Sequence, residues 1–315
     1  MRILITGVHG FVGSNLVNSL SKEHVIYGLD IVAPIKDGVK FTFGWEHLDK
    51  DAIPEVDAII HLAGKAHDTK NQAAAEVYFK VNRDLTIKIF DYFCAHPNIK
   101  KFVFFSTAKA AADKVEGVLT EEVVPLPVGP YGESKIAAEE YILKTMKNRP
   151  FDFTGRGVYI FRPCMIHGPG NKGNLNLLYN VVRKGIPWPL GAFENRRTFT
   201  SVENICFAVN GVLTQDIESG IYNMGDDEAL STNELIEEIC KSLGKKAHIW
   251  KLPKGVMCGV AKVGGWLHLP LDPERLRKLT ESYISSNDKI KKALGVEKMP
   301  VDAREGLKVT LESFK

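Results

Sequence analysis

Tyr131 and Lys135 stand at positions i and i+4 of the segment Tyr131-Gly132-Glu133-Ser134-Lys135. In a helix that spacing puts both side chains on one face. A phenol, with a pKa of about 10, is a poor base at neutral pH, and a nearby ammonium group favours the phenolate. The pair therefore suits proton exchange with an alcohol or a carbonyl oxygen. Phe104-Phe105-Ser106-Thr107-Ala108 ends an apolar run with two hydroxyls. In an open parallel sheet the carboxyl ends of the strands face the ligand crevice, so Thr107 can hydrogen-bond the oxygen that gains or loses the proton. Ser106 reads equally as a strand-end cap.

A second constellation precedes it. Thr6-Gly7-Val8-His9-Gly10-Phe11-Val12-Gly13 lies between a predicted strand, Ile3-Leu4-Ile5, and a predicted helix over 11–21. Gly7 and Gly10 suit a tight turn that brings backbone close to a pyrophosphate, and Gly13 lets the helix pack on the strand. Phe11 and Val12 open that helix, whose free N–H groups point at the phosphates. Asp30 ends the second predicted strand, where a carboxylate accepts hydrogen bonds from an adenosine ribose and repels a 2′-phosphate. Loop, helix and acid in this order predict NAD in preference to NADP.

The elements that must hold these residues alternate. Strand-like runs at 3–5, 25–29, 58–62, 102–105 and 158–161 are short and continuously apolar, as strands buried on both faces are. Helix-like segments over 11–21, 72–95 and 131–147 separate them, which implies an α/β fold with a doubly wound, Rossmann-like parallel sheet. Beyond about residue 165 Gly and Pro become frequent and single short strands such as Ile221–Met224 appear. The expected division is a dinucleotide-binding domain over 1–165 and a smaller α/β substrate domain over 166–315, interleaved with the first. A terminal helix over about 302–314 reads equally as a poorly packed tail.

Composition closes several classes. The 315 residues are 44% hydrophobic and 25% charged, ordinary for a globular protein of about two domains. A net charge of +3 gives no electrostatic argument for nucleic acid or an acidic membrane. Cys94, Cys164, Cys206, Cys240 and Cys258 are odd in number and widely spaced, which reads as reduced thiols in the cytoplasm. The histidines form no clustered ligand set, so no metal is expected. No leader is legible at the N-terminus. The longest weakly polar stretch, Gly255–Leu271, is interrupted by Lys262, His268 and glycines, and is too short for a membrane span. No membrane partner is expected.

Thr6–Gly13, Asp30, His61-Leu62-Ala63-Gly64, Asn82, Ser106-Thr107-Ala108, Tyr131/Lys135 and Arg162-Pro163 appear in the order of the extended short-chain dehydrogenase/reductases. The chain resembles that family over essentially its whole length, and within it the nucleotide-sugar epimerases of the UDP-glucose 4-epimerase type. The resemblance implies NAD held by Gly7, Gly10, Phe11, Val12, Gly13, Asp30, Leu62, Ala63, Gly64, Asn82, Lys135 and Pro163. It implies Tyr131 as acid/base, Lys135 as its electrostatic partner and Thr107 as the hydroxyl that orients the sugar. Gly168-Pro169-Gly170 with Lys172-Gly173-Asn174 resembles the family's diphosphate turn, with Asn174 near the nucleotide. Arg197 resembles its phosphate-binding arginine, and Arg275 or Arg277 a second one. Lys109 reads as a sugar contact or a solvated charge. His167 stands where the family usually has Tyr, and Trp45 near where an Asp would contact adenine.

Related 4,6-dehydratases place an Asp-Glu pair directly after the threonine; here Ala108 and Lys109 occupy those positions, which disfavours dehydration. The expected function is 4-epimerisation of a UDP-hexose by transient oxidation. The alternatives are reduction of a UDP-4-keto-6-deoxyhexose with NAD(P)H, and a non-catalytic dinucleotide sensor. A homodimer is expected through helices 72–95 and 131–147, with Val77, Val81, Phe90 and Ile136 feeding the interface.

Overall fold

The structure, a computed structural model, describes residues 1–66, 74–171, 173–266 and 271–315. Residues 72 and 73 of the expected second helix, Lys172 and His268 lie outside the described residues.

Eleven strands are described. In chain order they are β1 (Arg2–Thr6), β2 (Val25–Leu29), β3 (Val39–Phe43), β4 (Ala58–His61), β5 (Lys101–Phe105) and β6 (Val118–Leu119). There follow β7 (Gly157–Pro163), β8 (Met165–His167), β9 (Phe199–Ser201), β10 (Gly220–Met224) and β11 (Ile284–Ser285). Seven of them form one sheet in the order β10-β7-β5-β4-β1-β2-β3, every pairing parallel. The pairs β8–β9 and β6–β11 are separate and also parallel.

The central strands are apolar throughout because both faces are covered, and alternate residues serve opposite layers. Ile3, Ile5, Ile60, Val103 and Phe105 pack with Leu16 and Val17 of the helix Phe11–Leu20 and with Ile205 and Val209 of the helix Val202–Thr214. Leu4, Ile59, Phe102 and Phe104 pack with Ile89 and Phe93 of the helix Leu85–Ala95 and Ala138 and Ile142 of the helix Pro130–Asn148. The edge strand β3, with Lys40 and Phe41 exposed, alternates too weakly to read as a buried strand. The seventh strand, β10, and the helix Val202–Thr214 come from beyond residue 165, so the second half of the chain completes the dinucleotide sheet.

The expected helix 72–95 is built of three pieces. Ala75–Tyr78 is α-helical, Phe79–Asp84 is a π-helical turn, and Leu85–Ala95 resumes the α-helix. Phe90 corrects the expectation made for it: it is wholly buried against Phe93, Phe102 and Phe153, so it serves the core and no interface.

The C-terminal segment is a packed helix. Asp302 caps Ala303–Glu312 by accepting from the N–H groups of Arg304 and Glu305. Ala303, Leu307 and Leu311 join a third cluster with Leu175, Tyr179 and Ile239. Truncating Leu307, which is 2% exposed, to alanine is expected to cost about 2–5 kcal/mol of stability in urea denaturation. An unchanged midpoint would mean that this helix is not part of the core.

Candidate active site

The glycine loop, Asp30, Leu62–Gly64, Thr107 and Pro163 lie at the carboxyl ends of β1, β2, β4, β5 and β7. Gly7 turns with a φ of +68° and lies so close to β4's exit that a Cβ would stand 3.0 Å from the Ala63 nitrogen. At Gly13 a Cβ would stand 2.5 Å from the Gly7 carbonyl oxygen, so helix and loop touch through backbone. Gly10 begins the helix Phe11–Leu20 without a side-chain cap, which leaves its first-turn N–H groups for an anion. Asp30 accepts from the backbone N–H of His9 (3.2 Å) and of Ile31 (2.7 Å), which fixes its carboxylate beside the glycine loop. Close backbone, uncapped helix and fixed carboxylate fit a dinucleotide.

A buried relay ties this loop to the rest. Thr6 Oγ1 accepts from the N–H groups of Leu62 (3.1 Å) and Ala63 (3.0 Å), so its own hydrogen goes to His61 Nδ1 at 2.7 Å. His61 Nε2–H then donates to Thr86 Oγ1 at 2.9 Å, and Thr86 donates to the Asn82 carbonyl at 2.6 Å. Burial, with Lys135 nearby, holds the His61 pKa well below its usual value, so the ring stays neutral and the relay keeps one direction. Asn82 sits in the π-helical turn and bonds Lys65 N and O and Ser134 Oγ. Such turns recur at functional sites because they re-aim one side chain within a helix.

Thr107 ends the β5 exit as N-cap of Ala108–Ala111, and Tyr131 and Lys135 lie in the first turns of Pro130–Asn148. Burial pushes the Tyr131 phenol up, a hydrogen bond with Thr107 works against that, and Tyr78, edge-on at 6.5 Å, adds to it. Lys135 Nζ donates to the Phe105 carbonyl at 2.8 Å and lies beside Gly64, where a Cβ would stand 3.1 Å away. Burial lowers its pKa to about 8, and Glu139 opposes the fall. Lys135 thus arrives at the expected corner held by backbone.

Beneath it lies a group that the motifs do not mark. Glu139, one turn beyond Lys135, is fully buried, accepts from the Ser106 hydroxyl, and takes both Arg162 Nε (3.1 Å) and Nη2 (2.6 Å). Its i+4 spacing from Lys135 is the one signal for it in the sequence. Ser106 is therefore a support of this carboxylate. Pro163, next to Arg162, ends β7.

The second half of the chain reaches this region through Arg277 and Tyr283. Lys109 Nζ bonds Asp113 Oδ1 (2.9 Å) and lies 4.7 Å from the centre of the Tyr283 ring. Arg277, in the helix Pro273–Thr280, pairs with the same Asp113 at 3.3 Å and with Glu281 at 3.1 Å. Burial disfavours ionised Asp113, yet Lys109 and Arg277 hold its pKa below the usual value. Arg197 Nη1 donates to the Lys278 carbonyl, and burial lowers its pKa. Asn174 opens the helix Asn174–Arg183 and is exposed. Gly168-Pro169-Gly170 packs on the helix Phe11–Leu20: Asn15 Nδ2 donates to the Pro169 carbonyl (3.0 Å), and the Phe11 ring lies against Gly168. His167 is structural, buried between Thr310 Oγ1 (2.9 Å) and Asp226 (3.3 Å). Trp45 packs edge-on to His61 in the core layer. Among the described residues no group of His, Cys, Asp and Glu could hold a metal ion.

A family model described as the NAD dependent epimerase/dehydratase family matches residues 3–225. A UDP-glucose 4-epimerase of Vibrio cholerae is 30% identical over 99% of this chain and 95% of its own. A GDP-6-deoxy-D-mannose reductase of Pseudomonas aeruginosa is 26% identical over 75% of this chain and 78% of its own. In fold, the chain is similar to the UDP-N-acetylglucosamine 4-epimerase of Bacillus cereus, with a TM-score of 0.78 at 22% identity over 100% of this chain and 99% of that one.

The Glu139 arrangement makes a measurable prediction. Because Glu139 supports the charge of Lys135, Glu139→Gln is expected to move the Lys135 titration below about 8, read by NMR of the labelled lysine. A titration that does not move would detach Glu139 from Lys135.

Proposed function

The chain belongs to the NAD dependent epimerase/dehydratase family, and from that premise we propose that it is a 4-epimerase of a UDP-hexose. The observation that carries the reading is the meeting of Thr107, at the end of β5, with Tyr131 and the buried Lys135 in the first turns of Pro130–Asn148, with no acid pair at Ala108 and Lys109. NAD, when bound, supplies the acceptor and donor of the C4 hydride. Gly7, Gly10, Phe11, Val12 and Gly13 would hold its pyrophosphate, and Asp30 its adenosine ribose. Leu62, Ala63, Gly64, Asn82 and Pro163 would line the remaining cofactor path, and Lys135 would meet its second ribose.

Thr107 orients the C4 oxygen. Tyr131 takes the C4 hydroxyl proton as the C4–H bond breaks, and returns it after the keto sugar has presented its other face. The resting phenol is pushed up by burial, so the reading requires the Lys135 ammonium, four residues on, to favour the phenolate once the site is loaded. Arg197, Asn174 and Lys109 are the proposed contacts to the nucleotide diphosphate and sugar.

One observation favours a second reading, reduction of a UDP-4-keto-6-deoxyhexose with NADPH. Lys36 Nζ donates to Ser14 Oγ at 2.7 Å within electrostatic reach of Asp30, so a positive charge beside the carboxylate proposed for the ribose would favour a 2′-phosphate. We further propose a cytoplasmic homodimer. Val77 at 41% and Leu143 at 38% exposure stand on the two helices that would pair, and all five cysteines are unpaired.

Three outcomes are expected. Purified protein given UDP-glucose or UDP-N-acetylglucosamine without reductant should interconvert the C4 configurations by NMR. NAD(P)H consumption only on a UDP-4-keto-6-deoxy sugar would favour the reductase. Tyr131→Phe should lower turnover by about 10²–10⁴ and Thr107→Ala by less, because the latter removes one positioning hydrogen bond. Asp30→Ser should narrow the preference for NAD in equilibrium binding, and a wild type that already binds NADP more tightly would contradict the role given to Asp30.

A further inference from the structure

The weakly polar stretch around Gly255–Leu271 is too short to span a bilayer, and no described helix is long and apolar enough to do so. Residues Lys254–Trp266 of it form a helix. Met257, Ala261 and Gly264 turn into the protein, where Met257 and Ala261 join the third core cluster. Val256, Val260, Val263 and Trp266 are 54%, 48%, 55% and 80% exposed. At 100° per residue, these four share an arc that points away from the buried one. Scattered exposed apolar residues are ordinary; a continuous row along one helix marks an interaction surface.

Within its own stretch of sequence the charges are of one sign, and carboxylates return only at Asp272 and Glu274. Between Lys245 and Leu271 the sequence holds Lys245, Lys246, Lys251, Lys254 and Lys262 and not one carboxylate. The whole chain carries only +3, so positive charge is concentrated here. Trp250, 54% exposed, stands just before this helix and Trp266 ends it. A second copy docking through the same face would bring lysines against lysines in an isologous contact. An anionic surface has no such conflict.

We propose that this helix lies in the interface of an anionic phospholipid bilayer, with Val256, Val260, Val263 and Trp266 immersed and the lysines at the headgroups. Apolar row, basic flank and tryptophans near both ends are the features of a helix that lies on a membrane without crossing it. The helix packs against Pro273–Thr280, where Gly265 meets Pro273. That second helix bears Arg277, which pairs with Asp113 beside Lys109. The docked face therefore adjoins the helix that carries this ion-pair cluster. The proposal departs from the expectation of no membrane partner, and it stands apart from the choice of sugar.

The test uses the full chain with vesicles of phosphatidylcholine alone or mixed with phosphatidylglycerol, separated by sedimentation. Binding to the anionic vesicles is expected, with a blue shift of tryptophan emission and loss of binding in high salt. Replacing Lys251, Lys254 and Lys262 together by glutamine should weaken the partition coefficient by about tenfold or more. The double variant Val260→Glu/Val263→Glu should abolish it with an unchanged Tm, which shows that the fold persists. Protein left in the supernatant with both vesicles would overturn the proposal. So would anionic binding that survives the valine changes, or a concentration-dependent dimer, seen by sedimentation velocity without vesicles, that the valine changes dissolve.

Discussion

A single buried carboxylate organises the corner that holds Thr107, Tyr131 and Lys135. Glu139 is enclosed on every side, so its charge must be met by partners, and it meets three. Arg162 from β7 gives it two donors, Ser106 from the end of β5 gives a third, and Lys135 one turn earlier feels its field. These partners sit on two adjacent parallel strands and the helix that covers them. Satisfying the carboxylate therefore sets the height of the helix against the strand ends. Thr107 follows Ser106 directly and Tyr131 lies one turn before Lys135, so the proposed reactive pair inherits its spacing from the contact beneath it. Such an ion pair adds little net stability, because desolvation offsets the attraction; its value here is placement.

The neutral relay Thr6–His61–Thr86–Asn82 does the same for the cofactor side. It runs from the glycine loop under the exit of β4 to the π-helical turn, and each donor in it has one available acceptor. Because His61 is kept uncharged by burial, the chain of bonds has a single polarity at neutral pH. Loop, strand exit and helix are thereby locked in register around the space between Gly7, Gly64 and Lys135.

Much of this arrangement is legible in the sequence alone. The glycine loop, Asp30 and the Tyr131/Lys135 pair carry strong local requirements, for backbone approach, for a ribose partner and for a shared helix face. What is not legible has physical reasons. The edge strand Val39–Phe43 is half solvated, so it lacks the apolar run that marks its neighbours. The seventh strand, Gly220–Met224, looks like any short strand, and only its tertiary pairing with β7 assigns it to the large sheet. The π-helical turn at Phe79–Asp84 has no compositional mark, and periodicity alone does not assign Phe90 to core or interface. Glu139 and Arg162 are distant in sequence, and buried charges show themselves only when both partners are in place.

The central claim is that oxidation at C4 is transient and that the same hydrogen returns to the carbon it left. A UDP-hexose deuterated at C4, incubated with the purified protein and no added reductant, tests it directly by NMR and mass spectrometry. The 4-epimer should form with the deuterium still at C4. Loss of the label to solvent, its appearance in free reduced dinucleotide, or its retention in unconverted sugar alone would contradict epimerisation by this site.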